Sequence, residues 1–158
     1  MRKPFNRTLY NNNDKIARKI GKAIAKVMGY KAIDNEDKYG IDLLLSYINT
    51  PEFSLGVMGM ECEIKQHWQD GKFPFDTIQI PERKSKWAVV GNFFMVANGP
   101  LTQGLILGGS VVGRSPLKEV PNKYVPKGEK FFQVSVAAAL FYTLDQKFTA
   151  HTARNCTP

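Results

Sequence analysis

At 158 residues, 43% of them apolar, the chain is long enough for one domain that buries roughly 70% of its unfolded surface without disulfide or metal staples. Its 22 Lys and Arg against 14 Asp and Glu leave a net charge of +8, which favours an anionic partner, nucleic acid being the commonest, although many basic proteins are merely soluble. The two cysteines, Cys62 and Cys156, have no partners at metal-ligand spacing, so a disulfide scaffold and a zinc finger are both disfavoured. No run approaches the roughly 18 apolar residues of a membrane span, and the basic N-terminus lacks the apolar core of a secretory signal. The expectation is an intracellular, cytoplasmic, soluble protein with no membrane partner and one domain over 1–158, loose at 1–10 and 151–158.

Asn11 to Asp14 offers side-chain oxygens for the free amides of a first helical turn, and a helix is predicted over Lys15 to Met28, stopped at Gly29. Its apolar stripe is Ile16, Ile20, Ile24 and Val27, with Lys15, Arg18, Lys19, Lys22 and Lys26 around the remainder. That basic face suits either phosphates or plain solvation. A charged connection, Lys31 to Lys38, leads to Ile41–Ile48, an apolar run too short for a convincing helix and read as a buried strand. Asp42 is the odd residue in it. Desolvating an unpaired carboxylate costs several kcal/mol, so it must be paired, hydrogen-bonded or metal-bound, or else end the strand in contact with water.

Asn49 to Glu52 supplies a turn, and Leu55 to Lys65 returns as a strand, antiparallel to the first. Here the residues alternate: Met58, Met60, Cys62 and Ile64 face one way, and Gly59, Glu61, Glu63 and Lys65 the other. Gln66 to Pro74 follows as a loop of mixed aromatic and polar residues, with a tight turn at Asp70-Gly71. Next come a strand over Phe75–Ile80, a short basic helix from Pro81 to Trp87, a strand over Phe93–Ala97, a turn at Asn98 to Pro100 and a strand over Gly104–Val112. A Pro-, Gly- and Lys-rich connection spans Arg114 to Gly128. Phe131–Val136 reads as a strand, Ala137–Lys147 as a C-terminal helix and His151 onward as a tail. Gly108-Gly109 lacks the Gly-Lys-Ser context of a P-loop, so no nucleotide cofactor is expected.

The chemistry concentrates on the charged face of the second strand. Phosphodiester hydrolysis by a metal needs a hard cation held by oxygen ligands, with positions open for water and phosphate. Asp42 and Glu63, on neighbouring strands, can supply carboxylates, and the Ile64 carbonyl a third oxygen. The Lys65 ammonium would then orient the attacking water, lower its pKa or stabilise charge on the phosphorane. Glu61, on the same face, is a candidate for a second ion or a partner for Lys65. His67 continues the parity and either approaches the phosphate or merely ends the strand. Arg83, Lys84 and Lys86, with Arg18, Lys19 and Lys22 of the first helix, are candidates for holding a nucleic-acid backbone. Trp68 and Trp87 either stack on exposed bases or pack in the protein.

Gly40-Ile41-Asp42, followed after a hairpin by Glu63-Ile64-Lys65, resembles the signature of the PD-(D/E)xK nucleases, the restriction-endonuclease-like superfamily, and is similar to small phage-type or Holliday-junction-resolvase-like members. The likeness covers about Asp14 to Ala97, and Ile41 stands where the motif has proline. It implies an α/β restriction-endonuclease-like fold, a central mixed sheet flanked by helices. It also implies an endonuclease that cuts duplex or branched DNA with Mg2+, or Mn2+ in its place. Asp42 and Glu63 would bind the metal and Lys65 serve the water. Many members place a glutamate on the first helix. Lys15–Met28 contains none, which leaves Glu36, Glu61 or nothing for that position. Members commonly act as homodimers, because cutting two strands takes two sites. The competing expectations are a nucleic-acid-binding module of the same fold that does not cut, and a structural protein whose basic helix binds another protein.

Overall fold

The computed structural model describes residues 7–49, 58–122 and 125–153. Helix α1 (Arg7–Met28) precedes strands β1 (Tyr30–Asp34), β2 (Leu43–Tyr47) and β3 (Met58–Lys65). Strand β4 (Thr77–Pro81) and a 3-10 helix (Glu82–Trp87) then lead to β5 (Asn92–Asn98) and β6 (Gln103–Gly108). After the short helix α2 (Gly109–Arg114) come β7 (Leu117–Asn122), β8 (Val125–Ser135), a 3-10 turn (Val136–Ala138), β9 (Leu140–Leu144) and β10 (Ala150–Thr152).

The strands form two sheets. Seven lie in the order β1-β2-β3-β5-β6-β9-β10, and three in the order β4-β8-β7. Every neighbouring pair is antiparallel except β3 and β5, which run parallel from Gly59 opposite Asn92 to Lys65 opposite Asn98. A parallel pair needs a long crossover. Residues 66–91 supply it, and they carry β4 and the basic 3-10 helix. The fold is thus α/β with a mixed sheet.

Side-chain alternation divides the interior into two cores. Leu43, Leu45, Met60, Cys62, Met95 and Ile106 point to one face of the large sheet and pack on Ala17, Ile20, Ile24 and Ala25 of α1. Phe94, Val96, Leu105 and Leu107 point to the other and meet Ile78, Ile80, Phe132 and Val134 of the small sheet. Helix and strand approach closely at Gly21, where a Cβ would lie 2.5 Å from Cys62 Sγ and 2.9 Å from Leu43 Cδ1. Val27, expected in the apolar stripe, is 43% exposed; Ala17, Gly21 and Ala25 complete the buried face instead.

Several predicted elements differ. The helix starts at Arg7, so Asp14 lies well inside it, bonded to Arg18 one turn on. Part of the charged connection is the edge strand β1, with only Tyr30 and Ala32 packed against the core. The strand expected over Gly104–Val112 ends at Gly108, and 109–114 wind into α2. A Cβ at Gly109 or Gly113 would collide with the carbonyls of Val89 and Ala88, so glycine lets α2 lie against that backbone. The connection from Arg114 to Gly128 holds β7 and the start of β8. Ala137–Lys147 is not a helix: after one 3-10 turn, Leu140–Leu144 adds to the edge of β6, pairing Ile106 with Leu140 and Gln103 with Thr143. Its Phe-Tyr-Thr centre suits a pleated surface, and pairing outweighs the helical preference of the alanines. The expected loose ends are ordered at 7–10, in α1, and at 151–152, in β10, after which the Ala153 N–H donates to the Phe141 carbonyl at 3.1 Å; residues 1–6 and 154–158, Cys156 among them, lie outside the described residues, as do 50–52 of the expected turn and 55–57 of the expected strand. Among the described residues, no helix is long and apolar enough to cross a membrane.

Candidate metal and phosphate cleft

The register of β2 on β3 sets Leu43 opposite Met60, which brings Asp42, one residue before β2, beside Glu61 and Cys62. The Cys62 backbone N–H donates to Asp42 Oδ2 at 2.8 Å, and the Asp42 backbone N–H donates to Glu61 Oε2 at 3.3 Å. The Asp42 carbonyl accepts from the Asn35 amide at 3.1 Å and from Arg18 Nη1 at 3.2 Å. Asp42 is therefore hydrogen-bonded and paired, as an aspartate in an apolar run must be. Burial raises its pKa, and the Cys62 hydrogen bond and the Arg18 charge oppose the rise.

Asp42, Glu61 and Glu63 line one cleft of about 560 Å3, together with Asp14 of α1, Lys38 of the β1–β2 connection and Lys84 of the 3-10 helix. Asp42 and Glu63 thus border a common space. Glu61 is 7% exposed. Burial, with the nearby Asp42 adding to it, pushes its pKa up to about 7 against the pull of Lys84.

Each acid already has a cation. Arg18 reaches Asp42 Oδ1 at 3.3 Å and Asp14 Oδ2 at 3.1 Å, Lys84 Nζ reaches Glu61 Oε1 at 3.2 Å, and Lys65 Nζ reaches Glu63 Oε1 at 3.1 Å. Lys65 therefore pairs with Glu63 instead of Glu61. Among the described residues, no three Asp, Glu, His or Cys side chains converge as a ready metal site. The carboxylate side chains of Asp42, Glu61 and Glu63 are of the type that suits a hard divalent ion, and they border one space with Cys62 and Ile64, Cys62 also packing into the core on the α1 side. The pKa values of Asp42 and Glu61 are raised chiefly by burial, which disfavours a charged carboxylate.

The residues proposed to grip a nucleic acid divide. Arg83, Lys84 and Lys86 line the cleft. Arg83 pairs with Glu129 at 2.9 Å, and Lys86 Nζ lies 4.4 Å from the Trp87 ring centre. On α1, Arg18 is turned inward to its carboxylates, Lys22 pairs with Asp34 at 2.7 Å, and Lys19 lies over the Phe148 ring at 5.3 Å. Trp68 is fully buried, so it packs in the protein. His67 sits outside the cleft against Phe73 and Phe75, with its pKa lowered by partial burial and by Lys65. Glu36 is exposed and not in the cleft wall.

The residue that sequence analysis missed is Asp14. Taken as part of a helix start, it lies in the cleft wall beside Arg18 and Asp42, on the first helix, where Lys15–Met28 offers no acid. The signal was its spacing to Arg18, an i,i+4 pair inside a helix. Comparison of the chain with family models, with curated proteins and with solved structures finds no match.

Proposed function

We propose that this cleft belongs to a Mg2+-dependent endonuclease of restriction-endonuclease-like fold that hydrolyses phosphodiester bonds in DNA. The observation that carries this reading is that Asp42, just before β2, and Glu61 and Glu63 of β3 line one cleft together with Arg83 and Lys86. The antiparallel β2–β3 pair with β5 parallel to β3 and α1 packed on them, β1 and β4 coming between in the chain, also supports it.

Asp42 and Glu63 would hold the metal with the Ile64 carbonyl, and Asp14 and Glu61 stand by as further oxygen donors. When bound, magnesium supplies a Lewis acid for the phosphate and a more acidic water. The protein's own residues do the remainder. The Cys62 amide fixes the Asp42 carboxylate, and Glu63, which lines the cleft, holds the Lys65 ammonium at 3.1 Å, from where a positive charge turned toward a bound phosphate would stabilise the negative charge that grows there. Arg83 and Lys86 meet the backbone from the rim, and each phosphate contact adds to the salt dependence of binding.

Plasmid or branched DNA should be nicked with Mg2+ and spared with chelator. Lys65→Ala should lower cleavage by roughly a hundredfold or more, the scale for a group that stabilises transition-state charge, and leave DNA binding in place. Cleavage that survives both Asp42→Ala and Lys65→Ala overturns the assignment.

A second reading, a nucleic-acid-binding module that does not cut, is favoured by the protein cations already seated on Asp42, Glu61 and Glu63. Titration with Mg2+ separates the two. A nuclease shows saturable binding that Asp42→Asn weakens, and a binding module shows none.

A further inference from the structure

Lys65 stands between two cavities. Its partner Glu63 lines the carboxylate cleft, whereas Lys65 itself lines a second pocket, of about 310 Å3, with His67, Phe73, Phe75, Thr77 and Gln79. Three of these six are aromatic. The His67 ring lies 5.5 Å from Phe75 and 6.3 Å from Phe73, centre to centre, and the two phenylalanines are 6.2 Å apart. Phe73 is buried and locked edge-on against the fully buried Trp68 at 5.4 Å. It forms a rigid back wall. Phe75 is 57% exposed and His67 is exposed, which leaves flat surface toward solvent on a loop that gains nothing in the core from it.

A flat, half-apolar, half-polar object is what such a wall accommodates. Aromatic faces stack on it, and the hydroxyl of Thr77 and the amide of Gln79 offer hydrogen bonds at its edge. Thr77 Oγ1 donates to Gln133 Oε1 at 3.0 Å, which leaves the Thr77 oxygen free to accept. Partial burial and the charge of Lys65 lower the pKa of His67. Lys65 adds a positive charge, and its pair with Glu63 links this pocket to the neighbouring cleft.

We propose that this pocket takes one unstacked nucleobase of the DNA strand whose phosphate lies in the neighbouring cleft. The inference rests on the nuclease reading for the placement of that phosphate, and it names the substrate: DNA with an unpaired nucleotide beside the bond to be cut. A paired base would have to leave its stack at a cost of a few kcal/mol, and an already unpaired one would not.

The test is equilibrium binding, by fluorescence anisotropy, of a duplex with a single-nucleotide bulge and of the same duplex fully paired, in chelator so that nothing is cut. The intact protein should prefer the bulge by about tenfold, the lower range for one base stacked on an aromatic ring. Phe75→Ala should abolish that preference and Phe75→Trp should keep it; both alter an exposed side chain, and thermal melting verifies the fold. Lys86→Ala should weaken both duplexes alike. Equal affinity of the intact protein for the two duplexes, equal weakening of both by Phe75→Ala, or no binding to either overturns the pocket's role. Bulge preference that persists in a protein unable to cut with Mg2+ upholds the pocket and sinks the nuclease reading instead.

Discussion

The two faces of β3 are built from the same eight residues and obey opposite rules. Toward α1, Met60 and Cys62 are buried among Ala17, Ile20, Ile24, Leu43 and Leu45, and Gly21 lets the helix settle onto the strand. Toward the small sheet, the same backbone presents Glu61 and Glu63, each held by a lysine. Burial stabilises the first face, since apolar area leaves water there. It works against the second, since a desolvated carboxylate costs free energy that its partner only partly returns. A strand that puts stability on one side can carry a strained charge cluster on the other. That division separates mutations that unfold the protein from mutations that act on its charge cluster.

The largest expected effect tests the apolar face. Met60 is fully buried, so Met60→Ala should destabilise by about 2–5 kcal/mol through lost transfer energy and the cavity left behind. If the cleft binds Mg2+ as proposed, that affinity, measured well below the melting temperature, should stay where it was. Urea unfolding with magnesium titration reads both quantities. A weakened metal site with unchanged stability would reverse the assignment of the two faces.

A smaller effect, with a sign set by pH, tests the charged face. Burial moves the pKa of Glu61 from the ordinary 4.5 up to about 7. The folded state therefore holds a proton that the unfolded state has released, and stability falls as pH rises through that interval. Asp42, raised as well, acts in the same direction. The contribution of Glu61 is fully present below about pH 4.5 and is lost above about pH 7. Glu61→Gln cannot lose a proton. The variant should gain on the order of 2 kcal/mol relative to the parent between pH 5 and pH 8, the scale of a shift of this size reduced for its coupling to Lys84. Parallel stability curves for the two proteins over that range would remove the desolvated-acid account of this face.

Local periodicity made much of this legible in the sequence. Ile16, Ile20 and Ile24 fix a helix face, and the alternation from Met58 to Lys65 separates the core from the acids before any coordinate is known. What stayed hidden depends on partners distant in the chain. Strand β7 carries Lys118, Glu119 and Pro121, a poor strand by composition, and forms by pairing with β8, with a register shift between Val120 and Asn122 that accommodates the proline. Strand β9 exists because the edge of β6 needs a partner. The acidic cleft was half visible: Asp42, Glu61 and Glu63 follow from strand parity, whereas Asp14 required the true start of α1. The seating of Arg18 on Asp42 and of Lys84 on Glu61 is tertiary and leaves no local trace. The aromatic pocket was hidden for the same reason, since Phe75 and His67 meet through the fold of a loop.

The smallest effect bounds the comparison from outside. Lys22 and Asp34 form a closer pair, at 2.7 Å, than any that holds a cleft acid, yet their side chains are 40% and 56% exposed. Arg18 and Asp42, at 3.3 Å, are 21% and 15% exposed. If distance set the worth of an ion pair, Lys22→Ala would be the costlier change. Solvent screening and the entropy of fixing two long side chains argue otherwise: the exposed pair should contribute less than about 1 kcal/mol and fade in high salt. Arg18→Ala leaves the half-buried carboxylates of Asp42 and Asp14 without their cation and should cost more. On the proposed metal site that loss should shrink when Mg2+ is added, because an ion there would supply the missing charge at Asp42, whereas the Lys22→Ala loss should not respond to Mg2+ at all. Paired unfolding curves with and without the metal decide it: an equal magnesium response in both variants would mean that Asp42 is an ordinary structural carboxylate.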